Sequence, residues 1–121
     1  MLKLINAFRA ENGLAPCKIN VKMCQVARAH SENMARQDKL DHVLDEKGPG
    51  DRARDGGLRG GFGENIAAGS RGSVATFFQL WVDSPGHKAN MLGNWTEMGV
   101  GFAVGEGGRS HWYTTLFGGR Q

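Results

Sequence analysis

The chain has 121 residues, which is the size of one domain and leaves no room for a second domain of ordinary size. Hydrophobic residues make up 40% and charged residues 22%, a composition that excludes a disordered or fibrous protein. The net charge of +3 is spread along the sequence and not gathered in a patch, which argues against a nucleic-acid partner. No apolar run approaches the roughly 18 residues that a membrane span needs. We therefore expect a single domain over residues 1–121, without a membrane span.

Glycine is the outlier in the composition, with 19 residues in 121 against a usual share of about 7%. Gly13 precedes all the others, and the next glycine is Gly48. This distribution predicts that the first third of the chain is helical and that the remainder turns often.

Apolar residues recur at helical spacing in several segments. Asn12-Gly13 follows the first segment and Gly56-Gly57 follows the third, as is typical of helix ends. Ser73 and Ser84 are suited to N-cap the later helices, and Pro85 suits a first helical position. The predicted helices span residues 2–12, 24–37, 51–55, 73–82 and a short segment from residue 85.

Two segments near the end of the sequence have the character of strands. Thr96 to Val104 alternates and is rich in small and β-prone residues, and Ser110 to Phe117 is aromatic and β-branched. The glycines of Gly105 to Gly108 predict a loop that joins these segments as antiparallel strands. Helices first and strands last indicate an α+β protein.

Two cysteines lie seven residues apart, at Cys17 and Cys24. They are too few for a structural zinc site and lack the CxxC redox spacing. A disulfide requires the chain to fold back between them, at Lys18 to Val21. Free thiols are favoured, because Cys24 occupies an apolar position of the second helix.

The four histidines differ in their surroundings. His30 lies near the apolar face of the second helix, which favours a core histidine with a satisfied hydrogen bond. His111 lies in the last strand, where a surface cross-strand contact is expected. His42 follows a helix, in a loop position that often carries function. His87 lies in the first turn of a helix, whose dipole disfavours the imidazolium form. A neutral imidazole suits metal binding or general-base catalysis, but a histidine that merely caps the turn is equally consistent with this position.

Charged residues in the glycine-rich half give two further expectations. Glu64 lies in an apolar setting, and burial of its carboxylate is costly unless a histidine meets it. The alternative is a surface glutamate in a loop. Arg52, Arg54 and Arg59 are interrupted by acidic residues and are expected to form a solvated face. None of the usual short catalytic motifs occurs, so spacing alone names no reaction.

Several motifs in combination resemble the CAP superfamily, also called the SCP-like domain, of cysteine-rich secretory, antigen 5 and plant pathogenesis-related proteins. The resemblance covers nearly the whole chain, and SPGHKANML is similar to the bacterial branch. The matching motifs are GENIA at 63–67, WVDSPGHKANML at 81–92, MGVGF at 98–102, and WY at 112–113 followed by FG at 117–118.

The resemblance implies a three-layer α-β-α sandwich with a small, mainly antiparallel central sheet. It also implies a cleft that gathers two histidines and two acidic residues, and by motif these include His42, His87 and Glu64. The fourth position departs from the pattern, because Ser84 stands where many members have glutamate. Asp83 precedes it by one residue, about 100° away on a helix, and is a partial substitute at best.

In related domains two such histidines can hold a divalent metal, and zinc is the natural candidate for His42 and His87. Glu64 is then expected to orient one ring or to hold a water as general base. The resemblance further implies a secreted or cell-envelope protein, with an export signal that this sequence does not include. A monomer is expected.

Three functions follow as alternatives. A module that binds a lipid, sterol or glycan is favoured, because the site lacks an evident nucleophile. A metal-assisted peptidase would place His42 and His87 on the metal and Glu64 on the attacking water. In a structural or adhesion domain, the histidines would only satisfy a polar cleft.

Overall fold

A small sheet lies between two layers of helices. The structure, a computed structural model, describes residues 1–70 and 72–120, and these contain five α-helices, one 3₁₀ turn and a four-stranded sheet. The helices are α1 (Leu2–Glu11), α2 (Val21–Gln37), α3 (Pro49–Asp55), α4 (Val74–Val82) and α5 (Pro85–Met91). The strands are β1 (Lys18–Ile19), β2 (Gly63–Gly69), β3 (Trp95–Val104) and β4 (His111–Arg120).

The sheet has the strand order β1-β3-β4-β2. The short β1 runs parallel to β3, and the β3–β4 and β4–β2 pairs are antiparallel. The predicted hairpin is confirmed, with the 3₁₀ turn Glu106–Gly108 in its loop. The alternative of a surface glutamate in a loop is wrong for Glu64, since this residue is buried and lies in β2 opposite Leu116. Small residues dominate β2, so its sequence has no clear alternation of apolar and polar side chains.

Successive side chains of β4 point to opposite helical layers, as strand geometry requires. Trp112 and Leu116 pack with side chains of α2 and α3, whereas Tyr113 and Phe117 pack with Trp81 and other residues of α1, α4 and α5. The helices α2 and α3 therefore cover one face of the sheet, and α1, α4 and α5 cover the other. The expected three-layer α-β-α sandwich is confirmed.

Helix α2 lies unusually close to β3 because two glycines face it. A Cβ atom on Gly99 would lie 2.2 Å from the backbone of Met23, and one on Gly101 would lie 2.1 Å from the backbone nitrogen of Arg28. Ser31 Oγ donates a hydrogen bond to the Gly101 carbonyl at 3.1 Å, which fixes the two elements together. Part of the glycine surplus thus serves close packing, as the sequence indicated for this strand.

A buried arginine, Arg9, links α1 to the end of α5 and to the start of β3. Arg9 is 2% exposed, and its guanidinium donates to the carbonyl groups of Ala15, Met91, Gly93 and Trp95 at 2.8–3.2 Å. These carbonyl groups solvate the cation in place of water. Arg9 therefore holds the end of α5 against α1 and the start of β3.

The helix boundaries agree with the sequence to within a few residues. Ser73 caps α4 as predicted, because its side chain accepts a hydrogen bond from the Thr76 N–H. Helix α2 begins at Val21, three residues before the predicted start, after the N-cap Asn20. Cys17 and Cys24 are free thiols, the alternative that the sequence favoured, and burial raises the pKa of the Cys17 thiol.

Candidate functional site

Glu64 lies at the centre of a cluster of charged and polar side chains on the α2 side of the sheet. Its side chain is 2% exposed, yet both carboxylate oxygens have partners. His42 Nδ1 lies 2.9 Å from Oε1, and the Arg52 guanidinium makes an ion pair with Oε2. The cost of burying this carboxylate is thus offset by two opposing groups.

The ionised carboxylate fixes the tautomer of His42. Because a carboxylate only accepts hydrogen bonds, His42 Nδ1 carries a hydrogen, and in the neutral ring Nε2 keeps its lone pair. His42 lies in the loop that follows α2, and its side chain is 47% exposed. The ring is therefore anchored from inside the protein while its second nitrogen can face solvent or a ligand.

Arg52 has a role that the sequence did not predict. The expectation of a solvated face was wrong for this residue, because its side chain is only 14% exposed. Its Nη1 donates to the carbonyl oxygens of His42 at 2.7 Å and Lys47 at 3.0 Å, while Nη2 pairs with Glu64. Arg52 thus holds both Glu64 and the loop that carries His42. In the sequence, the apolar Ala53 beside Arg52 was an indication that this stretch packs against the protein. Ala53 is fully buried in the structure.

His30 joins the same cluster from α2. Its Nε2 donates to the Asp41 carbonyl at 2.9 Å and lies 3.9 Å from Glu64 Oε1. Burial lowers the pKa of His30, and the charge of Glu64 only partly opposes this effect, so the ring is neutral at pH 7. The core histidine was predicted, but its approach to Glu64 was not.

His87 approaches from the other helical layer. Its ring stacks on Trp81 with centroids 6.2 Å apart, and its Nδ1 lies 2.8 Å from Ser84 Oγ. Burial lowers the pKa of His87, and the charge of His42 lowers it further, so the two rings are near enough to interact electrostatically. Ser84 is the N-cap residue of α5 as predicted, but its hydroxyl contacts the imidazole and does not cap a backbone N–H.

Two asparagines join α5 to the strand that carries Glu64. Asn65 Nδ2 donates to the His87 carbonyl at 3.0 Å, and Asn90 Nδ2 donates to the Glu64 carbonyl at 3.1 Å and to Asn65 Oδ1 at 3.0 Å. These side chains set the position of His87 relative to Glu64. Sequence reasoning missed them because each amide finds its partner about 25 residues away.

Asp83 does not complete an acidic pair with Glu64. It is exposed, and its Oδ1 accepts a hydrogen bond from Gln79 Nε2 at 3.1 Å, one turn earlier on α4. The position expected to hold a second acid is thus occupied by Ser84, which contacts His87. His111 lies apart from this cluster, with its ring edge against Phe102 at 5.4 Å.

A separate apolar groove lies where α1 and α4 leave one end of the sheet uncovered. It has a volume of about 390 Å³ and is lined by Met1, Val74, Val100, Phe102 and Tyr113, together with Gly101. Phe102 is 42% exposed there. A ring so exposed on a sheet face is a typical contact for an apolar molecule.

A family model described as the cysteine-rich secretory protein family, CAP, matches residues 2–117. The chain belongs to the CAP family. Among curated proteins, YkwD from Bacillus subtilis (strain 168) is 34% identical over 105 residues, which are 84% of this chain and 40% of that protein. The membrane protein YlbC from the same strain is 33% identical over 104 residues, 84% of this chain and 30% of that protein. The chain thus spans less than half the length of these relatives.

Two solved structures share the architecture. An extracellular protein containing a SCP domain from Bacillus anthracis str. Ames superposes with a TM-score of 0.87 at 30% identity, covering 98% of this chain and 39% of that one. An outer surface protein from Borrelia burgdorferi gives a TM-score of 0.83 at 18% identity, covering 99% and 90%. The second likeness shows the fold alone.

The donor set of this CAP domain suits a two-histidine metal site. No group of three or more His, Cys, Asp or Glu side chains that could hold a metal occurs within residues 1–70 and 72–120. The site has two imidazoles, those of His42 and His87. Glu64 lies within hydrogen-bond distance of His42 Nδ1, and Ser84 lies within hydrogen-bond distance of His87 Nδ1. Such partners are typical of metal-binding histidines. No helix in the described part of the chain has the length and apolar character to cross a membrane.

Proposed function

We propose that this CAP domain is a secreted ligand-binding module in which His42 and His87 hold a divalent cation, with zinc as the natural candidate. The observation that carries the proposal is the shared arrangement of the two rings. In each, Nδ1 lies within hydrogen-bond distance of a fixed side chain, at 2.9 Å from Glu64 and 2.8 Å from Ser84. His42 Nε2 is left to coordinate the metal, and so is His87 Nε2 when the Ser84 hydroxyl accepts from His87 Nδ1–H.

The electrostatics of the site support a neutral His87. Burial and the nearby His42 both lower its pKa, so the ring has an accessible lone pair at neutral pH. Two imidazoles leave the remaining positions of a tetrahedral zinc to water or to an external ligand.

The geometry favours binding over metal-assisted peptide hydrolysis. A general base needs a free carboxylate oxygen within hydrogen-bond reach of the attacking water. Glu64 has His42 on one oxygen and Arg52 on the other, and its side chain is 2% exposed. It is therefore placed to orient His42 and not to activate a water.

We further propose that the ligand class is a small apolar molecule and not a glycan. The apolar groove beside Phe102 has the volume and lining for an aliphatic group, with Val74, Val100 and Tyr113 as its walls. A secreted location is supported by the extracellular Bacillus anthracis protein, which shares 30% identity with nearly the whole chain.

Calorimetric titration with zinc chloride tests the metal site. We expect one saturable binding event in the wild type, lost in His42→Ala and in His87→Ala. His111→Ala is the matched control, since its ring lies against Phe102 and outside the pair. No zinc-dependent heat in the wild type, or undiminished binding in both variants, would leave a structural domain as the better description.

Two further assays separate the remaining alternatives. Zinc-dependent turnover of a peptide panel that is lost in Glu64→Gln would establish the peptidase and overturn the binding proposal. Binding of a fluorescent fatty acid should weaken in Phe102→Ser but not in Leu80→Ser, a control whose side chain is 54% exposed and outside the groove. Equal binding by the two variants would remove the apolar groove as the ligand site.

A further inference from the structure

A second groove, distinct from the histidine pair and from the apolar groove, lies between α2 and α3. Its volume is about 410 Å³. Its lining includes the cationic side chains Lys22, Arg36 and Arg52, the small apolar residues Val26 and Ala29, and His30.

The groove has an excess of positive charge. Lys22, Arg36 and Arg52 contribute three cations, and Asp55 is the carboxylate among the lining residues. That carboxylate already makes an ion pair with Lys47 Nζ on the surface. Because Arg52 pairs with Glu64, the excess positive charge that an entering anion would meet comes from Lys22 and Arg36.

Two buried nitrogens of the lining residues have no hydrogen-bond partner in the part of the chain that the structure describes. They are Arg52 Nε and His30 Nδ1. Arg52 Nε–H is a donor on a guanidinium whose other nitrogens hold Glu64 and the His42 carbonyl. Unpaired buried polar atoms are rare and costly, so both favour a ligand with complementary groups.

The two nitrogens require opposite partners. Because His30 Nε2 donates to the Asp41 carbonyl and the ring is neutral, His30 Nδ1 is an acceptor. Arg52 Nε–H instead needs an acceptor, and oxyanions are the preferred partners of guanidinium groups. A ligand with an anionic oxygen and a neighbouring hydroxyl satisfies both, while Val26 and Ala29 accommodate its carbon skeleton.

We propose that the groove between α2 and α3 binds a small organic oxyanion that carries a hydroxyl group, such as a hydroxycarboxylate. The anionic oxygen accepts from Arg52 Nε–H and the hydroxyl donates to His30 Nδ1, while Lys22 and Arg36, which are far apart on α2, attract the anion through their charge. Arg52 also holds Glu64 and the loop of His42, so an occupant of the groove contacts a side chain that the histidine pair depends on. The proposal does not require a metal at His42 and His87.

Amide NMR titrations at constant ionic strength test the proposal with three probes of similar size: lactate, propionate and lactamide. Propionate lacks the hydroxyl group, and lactamide lacks the charge. We expect saturable shifts in α2 and α3 with lactate, weaker binding of propionate and no binding of lactamide. Absence of saturable lactate binding, or equal binding of lactate and either analogue, would overturn the proposal.

Variants locate the binding in the groove. Lys22→Ala/Arg36→Ala should weaken lactate binding by at least about fivefold, because two cations that attract the anion are lost. The matched control, Arg28→Ala/Arg109→Ala, removes the same charge at exposed positions outside the groove.

A variant that fills the groove separates the effect of the groove's shape from the effect of its charge. Ala29→Phe occupies the groove without changing the charge and should also abolish lactate binding. The far-ultraviolet circular dichroism spectra of all these variants should match that of the wild type, which shows that they are folded. Undiminished lactate binding in Ala29→Phe, or binding by Lys22→Ala/Arg36→Ala that is no weaker than by the control Arg28→Ala/Arg109→Ala, would contradict the assignment.

Discussion

The contact between β3 and α2 predicts that Gly101→Ala destabilises the protein strongly. The new Cβ would lie 2.1 Å from the Arg28 nitrogen and 2.4 Å from the Ala27 carbonyl carbon, both backbone atoms of α2. Normal contacts of this kind need about 3.4 Å, so the helix must move by roughly 1 Å along a packed face. Overpacking costs about 1–3 kcal/mol, and a clash with backbone atoms belongs at the upper end, near 3 kcal/mol.

Gly86→Ala provides the matched control for this prediction. Gly86 lies in α5 without a positive φ, and a Cβ added there would have no atom within 4 Å. The same substitution there should be neutral or stabilise by up to about 1 kcal/mol. Urea denaturation followed by circular dichroism measures both changes, and the melting temperature of Gly101→Ala should fall by roughly 10 °C. An unfolding free energy of Gly101→Ala within about 0.5 kcal/mol of the wild-type value would show that α2 and β3 are not packed this tightly.

Three further changes probe the buried polar groups. Arg9→Met should cost about 3–5 kcal/mol in unfolding free energy, because the carbonyl groups that Arg9 holds lose their donors, and Arg9→Lys should recover only part of this loss. Glu64→Gln should cost about 2–3 kcal/mol by leaving Arg52 unpaired, and a smaller loss in the double variant Glu64→Leu/Arg52→Met would confirm that the unpaired charge is the cause. Stability should also fall as the pH decreases below the ordinary histidine value of 6.5, because the folded-state pKa values of His30 and His87 are lowered and the unfolded chain binds more protons there. Urea midpoints at pH 8 and pH 5 should show this fall, and the fall should be smaller in His30→Gln; an unchanged dependence would contradict the assignment.

The helical layers and the C-terminal hairpin could be predicted because their signals are local. Helical spacing from Leu2 to Phe8 and a capping serine at Ser73 depend on neighbours within a turn or two. Strand β1 has only two residues, Lys18–Ile19, and depends on its parallel pairing with β3 nearly 80 residues later. Such a strand has no periodicity of its own to detect.

Arg9 illustrates what the sequence could not disclose. It follows Ile5 by four residues and so falls on the apolar stripe of α1, which is a clue to burial. The carbonyl groups that accept its hydrogen bonds lie mainly at residues 91–95, more than 80 positions away. Only the packed fold brings a complete set of acceptors to a buried guanidinium.

The candidate site could be predicted in part. The cost of a buried carboxylate indicated that Glu64 needs a partner, and the structure places His42 against it at 2.9 Å. The role of Arg52 was missed because this residue belongs to a surface-like charged stretch. The approach of His30 to Glu64 was missed because His30 lies in the interior of a long helix. Their contacts with Glu64 depend on how α2 and α3 pack over β2, which no local pattern records.

The most direct test of the account is a long-range ¹H–¹⁵N spectrum of the histidine rings, recorded before and after addition of zinc. Without metal, the neutral form of His42 should carry its hydrogen on Nδ1, because the Glu64 carboxylate accepts from that atom. Zinc should then shift the Nε2 resonances of His42 and His87 together and leave His30 and His111 unchanged. A His42 ring with hydrogen on Nε2, or zinc-induced shifts that leave either His42 or His87 unaffected, would contradict the account.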